Sequence, residues 1–118
     1  MRRIGVMVMI AAIAWPATAA PLSDAQQTAV QSSILGILKD PDSARFSVMS
    51  AAPQATGETI VCGTVNAKNE MGGYVGPAPF YGKLYGDGQF YLASLAGGAA
   101  EASNIVARCE ALGANIDR

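Results

Sequence analysis

The chain has 118 residues, with eight Lys or Arg, nine Asp or Glu and no histidine, giving a formal net charge of −1. Scattered cations in a slightly acidic chain argue against nucleic acid as a partner. Without histidine, Ser-His-Asp catalysis and histidine-ligated metal chemistry are excluded.

Arg2 and Arg3 precede an uncharged, mostly apolar run from Ile4 to Ala14, which Trp15 and Pro16 break. Ala17-Thr18-Ala19 then places small residues where a signal peptidase reads, so residues 1–19 are expected to be a secretory signal cut after Ala19. The apolar run is about half the roughly 20 residues needed to cross a bilayer, so no membrane insertion is expected once the signal is removed. No cysteine sits at the cut, so no lipid anchor is indicated. Residues 20–118 are expected to form one small domain, exported to the periplasm or secreted. That domain carries six cations against nine carboxylates, a net charge near −3.

Its two cysteines, Cys62 and Cys109, are expected to pair in an oxidising compartment. The bridge would remove the best nucleophile in the chain. No Cys-x-x-Cys motif is present, and no histidine exists to activate a thiol.

In chain order, Ser23-Asp24-Ala25-Gln26 reads as a capping box with Leu22 as a hydrophobic staple. Ala25, Ala29, Val30, Ile34, Ile37 and Leu38 recur at helical spacing, which predicts a helix from Asp24 to Leu38. Asp40-Pro41-Asp42-Ser43 predicts a short helical turn with Asp40 as N-cap. Arg45 to Ala51 reads as a strand with Phe46 and Val48 on one face, and Pro53 to Gly57 as a loop. Glu58 to Lys68 is the strongest strand, apolar on both faces and therefore central. Asn69 to Gly73 is a turn, and Tyr74 to Pro79 a loop or bulged edge.

Phe80–Tyr85 and Gln89–Leu95 predict two strands joined at Gly86-Asp87-Gly88. A final helix is expected from about Ala99 to Leu112, with Ala102, Ile105, Val106, Cys109 and Leu112 inward and Gly113 as its stop. Ala114 to Arg118 is expected to fray. The predicted fold is α+β: a two-layer sandwich of about four antiparallel strands, with both terminal helices on one face and one disulfide.

Two stretches, Leu38-Lys39-Asp40-Pro41-Asp42-Ser43-Ala44-Arg45-Phe46 and Val61-Cys62-Gly63-Thr64-Val65-Asn66-Ala67-Lys68-Asn69, carry a resemblance. The second continues into Gly72-Gly73-Tyr74-Val75-Gly76 and Phe80. Together they resemble a group of small exported bacterial proteins of uncharacterised role, with a Cys-Gly-x-Val-Asn-Ala-Lys-Asn…Gly-Gly-Tyr motif and a late second cysteine. The matching stretches cover about a third of the exported chain. Members tend to carry a small or aromatic pair before the two glycines, where this chain has Glu70-Met71. The resemblance implies a bacterial, periplasmic domain and transfers no catalytic residue.

The candidate interaction surface comprises Asn66, Lys68, Asn69, Glu70, Tyr74, Tyr81 and Tyr85. The polar group from Asn66 to Glu70 has an ordinary alternative, since Asn in a tight turn satisfies backbone groups. Asp40 and Asp42 read as cap residues rather than cation ligands, and Asp87 as a turn residue. No calcium loop and no phosphate loop are present. Six of the seven aromatics after the signal fall between Tyr74 and Tyr91. Alternation along strands places some of them outward, where tyrosine gives contact area at low entropy cost.

The expected function is non-enzymatic binding through the hairpin and the 66–81 loop, as an inhibitor or accessory subunit of another envelope or secreted protein. The alternative is a small-molecule carrier or enzyme using carboxylates and tyrosines, with Tyr74, Tyr81 or Tyr85 near Glu70 or Asp87. No cofactor or metal is expected.

Overall fold

The computed structural model describes Gly5 and residues 22–116. The expected secretory signal, Gly5 aside, lies outside the described residues, as do Asp117 and Arg118. Helix α1 spans Asp24–Leu35. Ser23 Oγ accepts the Gln26 N–H at 3.2 Å and Gln26 Oε1 accepts the Ser23 N–H at 2.9 Å, so the capping box forms as expected. The helix ends one turn before Leu38, at Gly36, and leaves Ile37 exposed. A 3-10 turn follows at Pro41–Ser43. Its N-cap is Asp40, but the carboxylate makes no capping bond; Ser43 Oγ closes the turn onto Asp40 O at 2.7 Å.

Strands β1 (Arg45–Phe46) and β2 (Ser50–Pro53) replace the single strand expected from Arg45 to Ala51. Both pair antiparallel with β3 (Thr59–Asn66), and residues 47–49 form a kink between them. The kink turns Val48 into solvent, whereas Phe46 packs inward against Phe80 at 6.4 Å between ring centroids. Strand β3 then pairs with β4 (Ala78–Leu84), and β4 with β5 (Phe90–Leu95), so the sheet is an antiparallel meander with β3 inside. Pro79 lies within β4 rather than in a loop, and the Tyr85–Gln89 turn closes the hairpin with Gly88 at φ +85°. Helix α2 spans Ala99–Ala111.

The α+β class, the antiparallel sheet and the Cys62–Cys109 bridge all stand. The placement of the helices differs from expectation: they cover opposite faces, making three layers. Val61, Val65, Phe80, Leu84 and Phe90 point to one side and pack with Val30 and Ile34 of α1. Ile60 and Cys62 point to the other side and pack with Ile105 and Cys109 of α2. The physical reason lies in β3, whose six residues from Ile60 to Val65 are all buried. A strand apolar on both faces needs a cover on each.

Two glycines make room for the larger core. Phe80 lies across Gly63 on the neighbouring strand, where an added Cβ would stand 3.0 Å from its ring, and Phe90 lies across Gly82. The C-terminal segment docks rather than frays as far as Ile116. Ala114 is fully buried in the α2-side core, its N–H donates to Cys109 O at 2.9 Å, and Ile116 packs beside it. Gly113, at φ +88°, supplies the left-handed stop that redirects the chain.

Candidate functional site

The predicted surface residues divide between the two ends of the sheet. Register places Val65 opposite Ala78 at one end and Thr59 opposite Leu84 at the other. With a rise of about 3.3 Å per residue, the ends are roughly 20 Å apart. The 67–77 segment sits at the first end and the β4–β5 turn at the second, so the two do not form one continuous surface.

At the first end, the motif residues are engaged in holding their own loop. Asn69 Oδ1 accepts the N–H groups of Met71 and Gly73 at 3.0 and 3.1 Å, and Asn66 Oδ1 accepts the Gly76 N–H at 3.1 Å. Tyr74 folds back so that its hydroxyl donates to Ser43 O at 3.0 Å, and the Lys68 N–H donates to Ser43 Oγ at 2.9 Å. The Arg45 guanidinium stands 4.4 Å from the Tyr74 ring centre and Lys68 Nζ 5.7 Å from it, so cation–π attraction adds to the clamp. Glu70 pairs with Lys39. Asn66 and Asn69 therefore brace the loop internally, while Tyr74 and the Lys68 N–H tie it to the 3-10 turn.

The second group stands on the α2 face. Tyr81 lies beside Cys62 in register, under the Arg108 guanidinium at 5.5 Å. Lys83 follows at the next alternate position of the strand and Tyr85 just past its end, and Tyr91 pairs with Lys83 from β5. Tyr85 and Tyr91 meet edge to face at 5.5 Å and remain 43% and 57% exposed. Lys83, Tyr85 and Tyr91 are exposed on this side, and Phe80 and Phe90 occupy the covered α1 side. Alternation thus separates each Phe–Tyr pair as expected, phenylalanine inward and tyrosine toward α2.

A shallow hollow of about 280 Å³ beside the tyrosines brings Glu58, Tyr81, Lys83 and Arg108 together. The Thr56 hydroxyl donates to Glu58 Oε2 at 2.6 Å. That bond, aided by the residue's own backbone N–H and by Lys83, holds the Glu58 carboxyl below its ordinary range. Glu58 shares this hollow with Tyr81, Asp87 lies in the Tyr85–Gln89 turn with its carboxylate accepting the Gln89 N–H at 3.0 Å, and Glu70 pairs with Lys39 at the far end.

Lys83, Tyr91, Glu58 and Arg108 were not among the expected site residues. Strand alternation from Tyr81 reaches Lys83, and hairpin register about Gly86–Gly88 reaches Tyr91. Arg108 is adjacent to Cys109, so the disulfide carries it to the strand next to Cys62. No protein-family model, curated protein or solved structure matches the chain. Its own geometry carries the functional reading.

Proposed function

We propose that this is an exported, periplasmic domain of a bacterial envelope that acts by binding another envelope or secreted protein, without catalysis. The observation that carries the reading is the open tyrosine face, with Tyr85 and Tyr91 stacked and exposed beside Tyr81, Lys83 and Arg108. Tyrosine and arginine are among the residue types that dominate binding energy at protein interfaces. The leader-like first nineteen residues and the oxidised cysteine pair support export. Among the described residues no helix is long and apolar enough to cross a membrane.

A photo-crosslinking amino acid in place of Tyr91 tests the reading in cells. One discrete adduct is expected there and none from the same probe at Met71, which is 93% exposed at the opposite end. Equal labelling at both positions refutes it. A second reading, small-molecule binding or carboxylate chemistry, is favoured only by the hollow that joins Glu58 to Tyr81 and Lys83. There Glu58→Gln abolishes ligand capture while leaving the Tyr91 adduct intact.

A further inference from the structure

The hollow of about 280 Å³ beside the tyrosines is charged unevenly. Lys83 and Arg108 line it together with Glu58, so two cations face one carboxylate and a positive charge is left over. Its floor is apolar, built by Ile60 of β3, Ala93 of β5 and Leu112, which caps α2. A neighbouring hollow of about 230 Å³ shares Tyr81 and Arg108, but there Arg108 meets Glu101 and the charges balance. Of these two, the first alone carries an uncompensated charge.

The acids and the cations of this face are engaged differently. Glu58 Oε2 accepts the Thr56 hydroxyl, Asp87 Oδ1 the Gln89 N–H and Glu101 Oε2 the Gly97 N–H, so each carboxylate serves a neighbour in the chain. Lys83 and Arg108 make no hydrogen bond and no ion pair among the described residues. The Arg108 guanidinium nevertheless has a set position. It stands 5.5 Å from the Tyr81 ring centre, and Cys109 beside it is bonded to Cys62 of β3. A guanidinium is a planar fork of five N–H donors, matched to the two oxygens of a carboxylate. One already held against a ring gives up little further freedom when a carboxylate takes two of those donors.

We infer that this hollow receives one carboxylate side chain, Glu or Asp, from the partner that docks on the tyrosine face; the inference rests on that docking. The carboxylate takes the Arg108 fork with Lys83 beside it, and its methylene stem lies on Ile60 and Leu112. Tyr85 and Tyr91 pack against the flanking residues of the partner. A single negative charge suits the site, because it cancels the excess that Lys83 and Arg108 leave over Glu58, whereas a phosphate dianion reverses it. Arginine paired with a carboxylate in a site that aromatic neighbours keep dry is a recurrent centre of binding energy.

Mass spectrometry of the Tyr91 photo-adduct identifies the partner and its crosslinked segment, whose Asp and Glu residues are then replaced in turn by Asn and Gln. Calorimetry with both purified proteins, this one disulfide-bonded, is expected to find one acid whose replacement weakens binding by about ten-fold or more. Arg108→Gln weakens binding to the same extent, and the two changes together cost no more than either alone. Arg108→Lys, which keeps the charge and loses the fork, weakens it by about three-fold. Glu58→Gln removes the opposing charge, so it tightens the native partner by about three-fold and leaves the substituted one unchanged. Glu110→Gln, exposed on the same helix, changes neither. Additive losses, normal binding by Arg108→Gln, weakening by Glu58→Gln, or glutarate that binds as tightly as the partner each overturns the carboxylate assignment while the tyrosine face stands. Absence of a discrete Tyr91 adduct, or an adduct with a second copy of this chain, overturns both.

Discussion

Cys109 of α2 is bonded to Cys62 of β3, Cα to Cα 6.3 Å, on the face of the sheet that α1 does not touch. Both sulfurs are fully buried, and the bridge anchors the cluster of Ile60, Ile105 and Ala114. Closing 47 residues of chain contributes about 4 kcal/mol by chain entropy. The Cys62→Ala/Cys109→Ala double variant is expected to lose most of that in urea unfolding. Because α1 packs on the other face, its amides should keep their protection when those of α2 lose theirs, which hydrogen exchange reads directly.

Gly82→Ala should fail to fold. An added Cβ would run into the Phe90 ring and the carbonyl oxygen of Tyr91, and a backbone atom cannot move aside. Overpacking of this kind costs about 1–3 kcal/mol where side chains yield, and more where they cannot. Gly86→Ala, in open space one turn away, serves as the control and should leave the melting temperature nearly unchanged.

Asn69→Ala removes the acceptor for two loop N–H groups and should destabilise by about 1–2 kcal/mol. The 67–77 backbone should exchange faster, while the tyrosine face and its crosslink remain intact. A lost crosslink in this variant would mean the two ends are coupled.

The pair Thr56 and Glu58 carries a pH signature. The folded pKa of Glu58 lies below its ordinary value of 4.5, so the fold favours the deprotonated form. That contribution is fully present above the ordinary value and is lost as pH falls through the lowered one. Thr56→Val removes the strongest cause, and an NMR titration of Glu58 should then move up toward 4.5. No movement would show that the hydroxyl does not set it.

Tyr85→Ala with Tyr91→Ala removes an exposed edge-to-face pair worth about 0.5–1.5 kcal/mol. Stability should fall by no more than that, whereas a crosslink placed at Lys83 should disappear. Unchanged crosslinking would remove the tyrosines from the interface.

The sequence by itself determined most of the elements, their order and the bridge, though not the break that divides β1 from β2. A capping box, a strand apolar on both faces, a Gly-Asp-Gly turn and two cysteines act over a few residues or through covalent chemistry. Arrangement was harder to read. Both faces of β3 were legibly apolar, yet which helix takes which face depends on where the chain crosses the sheet edge, and no local pattern records it. Likewise Asn66, Asn69 and Tyr74 look like a recognition group in one dimension, whereas in the structure the two Asn side chains hold loop N–H groups and Tyr74 fastens the loop to Ser43, some thirty residues earlier in the chain. The tertiary structure alone decided that the exposed tyrosines meet Arg108 and Lys83, and that Glu58 shares a hollow with both cations. Both are contacts between surfaces brought together by packing, and packing depends on the shapes of distant side chains rather than on the spacing of neighbours.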